Sequence, residues 1–484
     1  MEFNIEKSSR QENNEKFVFW SSNGRIIPNL LYRFLALNGF GKYFSDHSMA
    51  RRSDAVIIRI TENIVSEVNV GYLLDFVRSY IEKYFEIEGD SGPVLDSLHK
   101  STSLFGDKNL KLLNTLHINF LRDTRDTGYL FFNNGVVEVT AKGAILKPFY
   151  EFDECIWDSS IINHEFKEID MVVLKESDFL TFISDLTITR DASSSENRFN
   201  ALKSIIGYLL NNYKDGTTNR AVILMDVFVD GKPNGGSGKS LLINSIGKIR
   251  KLAVIDGKSY DQHEWFSLSS VSLDSELLLF DDVKSNFDFE QIFPLLSGGM
   301  YVRRKHKDNI HIPHDKSPKV ALTTNYAING DSSSHERRKI EFEVSSTYSH
   351  RFTPRDKFGR NFFDEWGEPD WILFYNTMIH CLTFYLSNGI QTSEPINIKK
   401  TKFVNKTCEE FAEFSYHGFP LNERLDKKIL FQNFINENPD LKSKIAQREF
   451  TNWLRCWGEY SGYQTTEPRS DDVRYIVFYQ ASES

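Results

Sequence analysis

The run Gly235-Gly236-Ser237-Gly238-Lys239-Ser240 constrains this chain most, because it stands between an apolar, β-rich run (Ala221 to Val229) and the helical text Leu241-Leu242-Ile243-Asn244. Strand, glycine loop and helix in that order are the setting of a phosphate-binding loop. Glycines let successive backbone N–H groups turn inward around an anion with no Cβ in the way. The helix that follows points its positive end at the same anion. Asn234, Gly235, Gly236, Ser237, Gly238, Lys239, Ser240 and Leu241 are therefore the candidate cofactor-binding residues. Lys239 is placed to reach the β- and γ-phosphates of a nucleotide, and Ser240 to ligate Mg²⁺. One departure from G-x-x-x-x-G-K-S/T stands out: Pro233 occupies the first glycine position, with Gly231 two residues earlier.

Four further signals follow in order. Leu277-Leu278-Leu279-Phe280 runs into Asp281-Asp282, an apolar strand that delivers carboxylates to the edge of a parallel sheet. Asp281 is the candidate metal ligand beside Ser240, and Asp282 the group that orients and deprotonates an attacking water. Arg303-Arg304-Lys305-His306-Lys307 is the densest basic cluster in the chain, and Ile310-His311-Ile312 returns from it as a strand. That pattern predicts a hairpin with a cationic tip. Lys319-Val320-Ala321-Leu322 ends in Thr323-Thr324-Asn325, which sets the Asn325 amide beside a γ-phosphate. Arg337-Arg338 then precedes another strand, where an arginine from a neighbouring subunit neutralises charge on the transferring phosphoryl group.

Taken together, these motifs resemble those of superfamily 3 helicases, the AAA+-type ATPases of DNA viruses, phages and plasmids. They are similar to the C-terminal helicase part of phage and poxvirus primase-helicases. The resemblance implies an ATP and Mg²⁺ site built from Lys239, Ser240, Asp281, Asp282 and Asn325, with Arg337 or Arg338 acting in trans. It also implies a self-assembled ring, usually a hexamer, that encloses single-stranded DNA, works on forked DNA and travels 3′ to 5′. Arg303, Arg304, Lys305, His306 and Lys307 are then the candidate DNA-binding residues, of which Lys305 and His306 match the hairpin residues that touch that DNA. Replication of a phage or mobile element is the implied setting, with a separate primase or polymerase as a further partner. A replication initiator or DNA-binding regulator that uses ATP to assemble, without unwinding, fits the same text.

At 484 residues the chain exceeds one ordinary core and divides into modules. The expected class is α/β: an AAA+-type P-loop ATPase core with a helical collar, an α+β N-terminal domain and a C-terminal winged helix. The expected boundaries are 1–150 for an N-terminal accessory domain, 151–215 for the collar and 216–350 for the ATPase core. A helical lid and polar linker (351–404) and the winged helix (405–484) complete the chain. Ser193-Ser194-Ser195 reads as a break between collar helices. Arg448 to Tyr460 is a helix whose Phe450, Trp453, Leu454 and Trp457 form a core stripe, and Lys444, Arg448 and Arg455 are candidate DNA contacts. Residues 1–150 hold no carboxylate set that would support a primase. With 40% hydrophobic and 14% aromatic residues the chain reads as packed rather than disordered. No apolar run suits a membrane span and the N-terminus is unlike a secretory signal, so a bacterial host cytoplasm is the expected location. The four scattered cysteines lack metal spacing and read as structural thiols. A net charge of −9 recruits no DNA by itself, so a local basic surface has to hold it.

Overall fold

The computed structural model describes residues 17–44, 55–86, 89–189, 191–216, 219–229, 232–233, 235–284, 287–304, 309–328, 332–470 and 473–480. Its centre is a five-stranded sheet in the spatial order Leu252–Asp256, Leu277–Val283, Lys319–Thr324, Ala221–Asp226, Lys339–Val344. Every neighbouring pair in it is parallel. A parallel sheet is covered on both faces, so its strands read as unbroken apolar runs. The two-residue repeat of a strand then sorts side chains between two cores. Val222, Leu224, Leu277, Leu279, Ala321 and Phe342 pack into one, while Ala221, Ile223, Met225, Leu278, Phe280, Val320 and Leu322 pack into the other.

The first core is closed by the helices Asp178–Asp185, Ala192–Leu210 and Glu368–Asn388. The Ser193–Ser195 run is not a break. It forms the first turn of Ala192–Leu210, because the Asp191 carboxylate accepts the N–H groups of Ser193 (3.3 Å) and Ser194 (3.0 Å). An aspartate cap satisfies donors that the helix leaves free, and small polar residues favour that turn. The break falls earlier, after Asp185. Ala192–Leu210 and Glu368–Asn388 touch along their backbones at Gly207, where an added Cβ would lie 2.3 Å from the Cys381 carbonyl oxygen.

Before the sheet, the helices Pro28–Leu37, Val70–Phe85 and Gly92–Lys100 enclose Phe19, Phe34, Phe40 and Leu73. The antiparallel strands Thr127–Phe132, Gly135–Thr140 and Gly143–Lys147 send Leu130, Phe132, Val137 and Val139 into the first core of the central sheet. A buried ion cluster ties the same region to the sheet: Arg250 donates to Asp123 (2.8 Å), Glu276 (3.0 Å) and the Leu210 carbonyl (2.7 Å).

Past the core, the second half of the expected polar linker is a helix, Ile398–Lys406. The buried Glu343 carboxylate accepts N–H groups from Ile396 and Asn397 at its start. At the end of the chain, Lys427–Glu437 and Gln447–Tyr460 pack against the antiparallel pair Tyr463–Thr466 and Val473–Gln480. Phe450, Trp453, Leu454 and Trp457 lie in one core with Phe411, Phe434, Ile476 and Phe478. Among the described residues no helix is long and apolar enough to cross a membrane. All four cysteines are free thiols, and burial raises the Cys381 thiol to about 12.

Gly207→Ala should destabilise the protein by about 1–3 kcal/mol through overpacking, although alanine is the better helix former by ~1 kcal/mol. The check is a lower urea midpoint with unchanged secondary structure.

Candidate active site

All five strands of the central sheet finish at the same edge, and three of the motifs meet there. The Ala221–Asp226 strand ends at Asp226, and the chain returns through the short pairing of Phe228–Val229 with Lys232–Pro233 to the glycine loop. Gly236 (φ +82°) and Gly238 (φ +99°) adopt the left-handed conformation that favours glycine. At both a side chain would be tight as well as conformationally strained. A Cβ at Gly238 would lie 3.0 Å from the Phe182 ring, and one at Gly236 would lie 3.1 Å from the His350 amide. Gly238 caps the helix Lys239–Ile246, whose first two side chains therefore emerge at the loop. Of the remaining loop residues, Gly235 is exposed and Leu241 packs partly into the first core, while Asn234 lies outside the described residues.

Lys239 is buried, and its ammonium donates to three acceptors: the Asp226 carboxylate, Ser237 Oγ (3.2 Å) and Asn325 Oδ1 (3.1 Å). Asp226 also accepts the Ser237 hydroxyl, and its side chain is fully buried. Burial pushes the Asp226 carboxyl above its usual value, against the opposing pull of Lys239. Ser240 donates to Asp281 Oδ1 at 3.1 Å, bringing the loop helix onto the acidic strand.

The acidic strand bulges where it meets the loop. Its register against Lys319–Thr324 shifts between Phe280 and Val283, and Asp282 takes φ +56°, a conformation costly for a residue with a Cβ. Thr323 holds this bulge from the adjacent strand: it accepts the Asp282 N–H (2.8 Å) and donates to Asp281. In a regular strand two consecutive carboxylates point to opposite faces. Here both join one network, since Asp282 accepts from Asn325 (3.2 Å) and pairs with Lys258. Such an array of two ammonium groups, three carboxylates, hydroxyls and a helix start can hold a polyphosphate and a hard cation and can orient water.

Arg337 and Arg338 are not part of this cluster. They precede Lys339–Val344, whose Lys339 lies opposite Ala221 and whose Val344 lies opposite Asp226. The arginines thus sit at the starting edge of the sheet, about 17–20 Å along the strand from Asp226. Arg338 donates to the Ser334 carbonyl (3.0 Å) and lies over the Phe293 ring (4.6 Å). Arg337 is exposed, and its guanidinium makes no hydrogen bond or ion pair among the described residues.

The basic hairpin consists of Met300–Val302 paired with Ile310–Ile312. Met300, Val302, Ile310 and Ile312 anchor it in the second core. Arg303 lies 4.1 Å above the Trp265 ring, which is 69% exposed, and Arg304 pairs with Glu67 at 3.5 Å. Lys305, His306 and Lys307 lie outside the described residues. Motif reading missed Asp226, Lys258, Thr323 and Trp265. Asp226 carried a usable signal, because it is the single acid inside the apolar run Ala221 to Val229. Trp265 had no local signal that set it apart, since Phe266 follows it directly. Among the described residues no group of three or more His, Cys, Asp or Glu side chains is arranged to hold a metal by itself.

No protein-family model matches the chain, and no curated protein does. Solved structures do align with it, among them the following two. The apo A form of the NrS-1 C-terminal region matches over 93% of this chain and 99% of its own, at 12% identity and a TM-score of 0.40. JCV helicase bound to a thiazolopyridinyl-phenoxyphenyl acetamide matches over 46% of this chain and 58% of its own, at 11% identity and a TM-score of 0.25.

Thr323→Val should leave the Asp282 N–H unsatisfied and free the bulge, at a cost of about 1–3 kcal/mol. A lower melting temperature measures it; an unchanged one would mean that Thr323 does not support the bulge.

Proposed function

We propose that this chain is an ATP-driven DNA helicase of the superfamily 3 type, with the glycine loop as its P-loop. One observation carries the reading: Ser240, Lys239, Asp281, Asp282 and Asn325, drawn from three separate stretches of sequence, belong to one hydrogen-bonded network at one edge of a parallel sheet. Lys239 binds the β- and γ-phosphates, and the start of helix Lys239–Ile246 faces the same charge. The Ser240 hydroxyl and Asp281 carboxylate are hard oxygen donors suited to Mg²⁺. That ion, when bound, neutralises charge on the phosphates. Asp282 accepts a proton from the attacking water, and the Asn325 amide, bonded to both Lys239 and Asp282, orients that water.

The arginine needed for phosphoryl transfer comes from a neighbouring copy. Arg337 and Arg338 are too far from Asp226 to act within their own chain, and a ring, in the family usually a hexamer, brings one copy's starting edge to the next copy's site. Arg337 is the better candidate, since Arg338 is spent on Ser334 and Phe293. Single-stranded DNA in the channel is gripped by Arg303 and the tip residues Lys305, His306 and Lys307. The exposed Trp265 face under Arg303 adds a stacking surface for bases. The C-terminal helix pair with its hairpin serves as a winged helix. Forked DNA is the working substrate, a separate primase or polymerase the partner, and a phage or mobile element replicating in bacterial cytoplasm the setting.

Lys239→Ala and Asp281→Asn should each abolish ATP turnover, and near-normal hydrolysis in either would remove the P-loop reading. Arg337→Ala should bind nucleotide yet lose turnover, and mixing it with Lys239→Ala should restore part of the activity, because an intact arginine then faces an intact loop. Arg338→Ala should lose far less.

The motor step is tested separately. DNA binding should weaken steeply with salt, as phosphate neutralisation releases counterions. Lys305→Ala should keep basal hydrolysis but lose DNA stimulation and fork unwinding. Unwinding that survives Lys305→Ala but disappears on truncation near residue 405 would favour an initiator that grips DNA through its C-terminal module.

A further inference from the structure

The Lys239 ammonium has three N–H donors, and all three are engaged by Asp226, Ser237 and Asn325. Asp226 draws in two groups of the loop at once, since the Ser237 hydroxyl donates to the same carboxylate oxygen. That oxygen does all the accepting: Asp226 Oδ2 is buried with no hydrogen-bond partner. Among the described residues the carboxylate is therefore held by Lys239 and Ser237, without the backbone donors that usually fix a structural carboxylate. Its charged surroundings are Lys239 on one side and the like charge of Asp282 on another.

From this arrangement we propose that Asp226 is a built-in competitor for the nucleotide: it occupies the lysine that an incoming phosphate has to take. The proposal rests on reading the glycine loop as a nucleotide site. A phosphate gains Lys239 only by drawing at least one N–H from its present acceptors. Asp226 is the only charged acceptor of the three, so it opposes the transfer most strongly. Among the described residues a carboxylate left behind has no other ion-pair partner, and a buried charge stripped of its partner is strongly disfavoured. It would also face the phosphates with like charge. Nucleotide affinity is thus set by a handover of one ammonium between an internal carboxylate and an external phosphate, which weakens binding and speeds product release.

This role makes a prediction opposite in sign to a supporting one. If Asp226 competes, Asp226→Asn tightens binding of ATP and ADP with Mg²⁺ by about tenfold, within the range of coupled sites, and slows ADP release. If Asp226 only holds Lys239 in place, the same change weakens binding. Calorimetric titration of ATP and ADP into the full-length wild type, Asp226→Asn, Lys239→Ala and the double variant separates the two. The competitor predicts that the gain from Asp226→Asn vanishes once Lys239 is alanine. A folded Asp226→Asn protein, judged by its melting curve, that binds ATP no more tightly than wild type would overturn the proposal. Should that variant fail to fold, Asp226→Ser, which keeps a neutral oxygen for Lys239, carries the same expectation and the same refutation. Wild-type affinity retained in Lys239→Ala would instead remove the nucleotide reading of the loop, and this proposal with it.

Discussion

The organising constraint is the parallel direction of the central strands. A strand can be followed by a parallel neighbour only if the chain crosses back to the starting edge, so all five strands finish together. Whatever polar residues end those strands must then share one small region. Asp226 ends one strand, Asp281 and Asp282 stand near the end of another, and Thr323 and Thr324 end the strand between them. The glycine loop arrives at the same edge because it follows the Ala221–Asp226 strand. Helices cover one face of this sheet, and at its finishing edge Ser240 is exposed while Asp281 and Asp282 are partly so.

The two edges treat charge differently. At the starting edge a group of charges is buried among fixed partners, while Arg337 stays exposed. Arg250 joins Asp123 and Glu276, while Lys319 donates to the Tyr208 carbonyl (2.7 Å) and lies over the Tyr208 ring (3.8 Å). Burial drives the Lys319 ammonium well below its usual pKa. At the finishing edge, partners are shared and incomplete: one oxygen of Asp226 is unpaired, Asp282 is strained, and Lys258 and Asp282 remain partly exposed. Fully satisfied polar networks rigidify a fold, and an unpaired buried polar atom is costly.

The basic hairpin illustrates how a charge cluster is divided by its neighbours. The sequence offers five consecutive basic residues from Arg303 to Lys307. In the fold, Arg303 is drawn onto the exposed ring of Trp265, and Arg304 reaches Glu67 of the N-terminal region. The pairing with Glu67 ties the hairpin to an element far away in sequence, so the N-terminal region shares in setting the hairpin's position.

Residue order alone was enough for the α/β class, for most strands and helices, and for the loop and strand ends that would meet. Those features rest on local physics: glycine freedom, the two- and 3.6-residue repeats, and apolar runs that demand burial. The helix start at Ala192 escaped it, because a cap depends on how one aspartate bends back, and three serines read equally well as a turn. Asp226 was visible only as an acid inside an apolar run, with nothing local to mark Lys239 as its partner. The Asp282 bulge, the Trp265–Arg303 stack and the distance of Arg337 from Asp226 are set by strand register and by contacts between segments remote in sequence. Such contacts form only when the whole sheet is assembled, which is why the tertiary structure decided them.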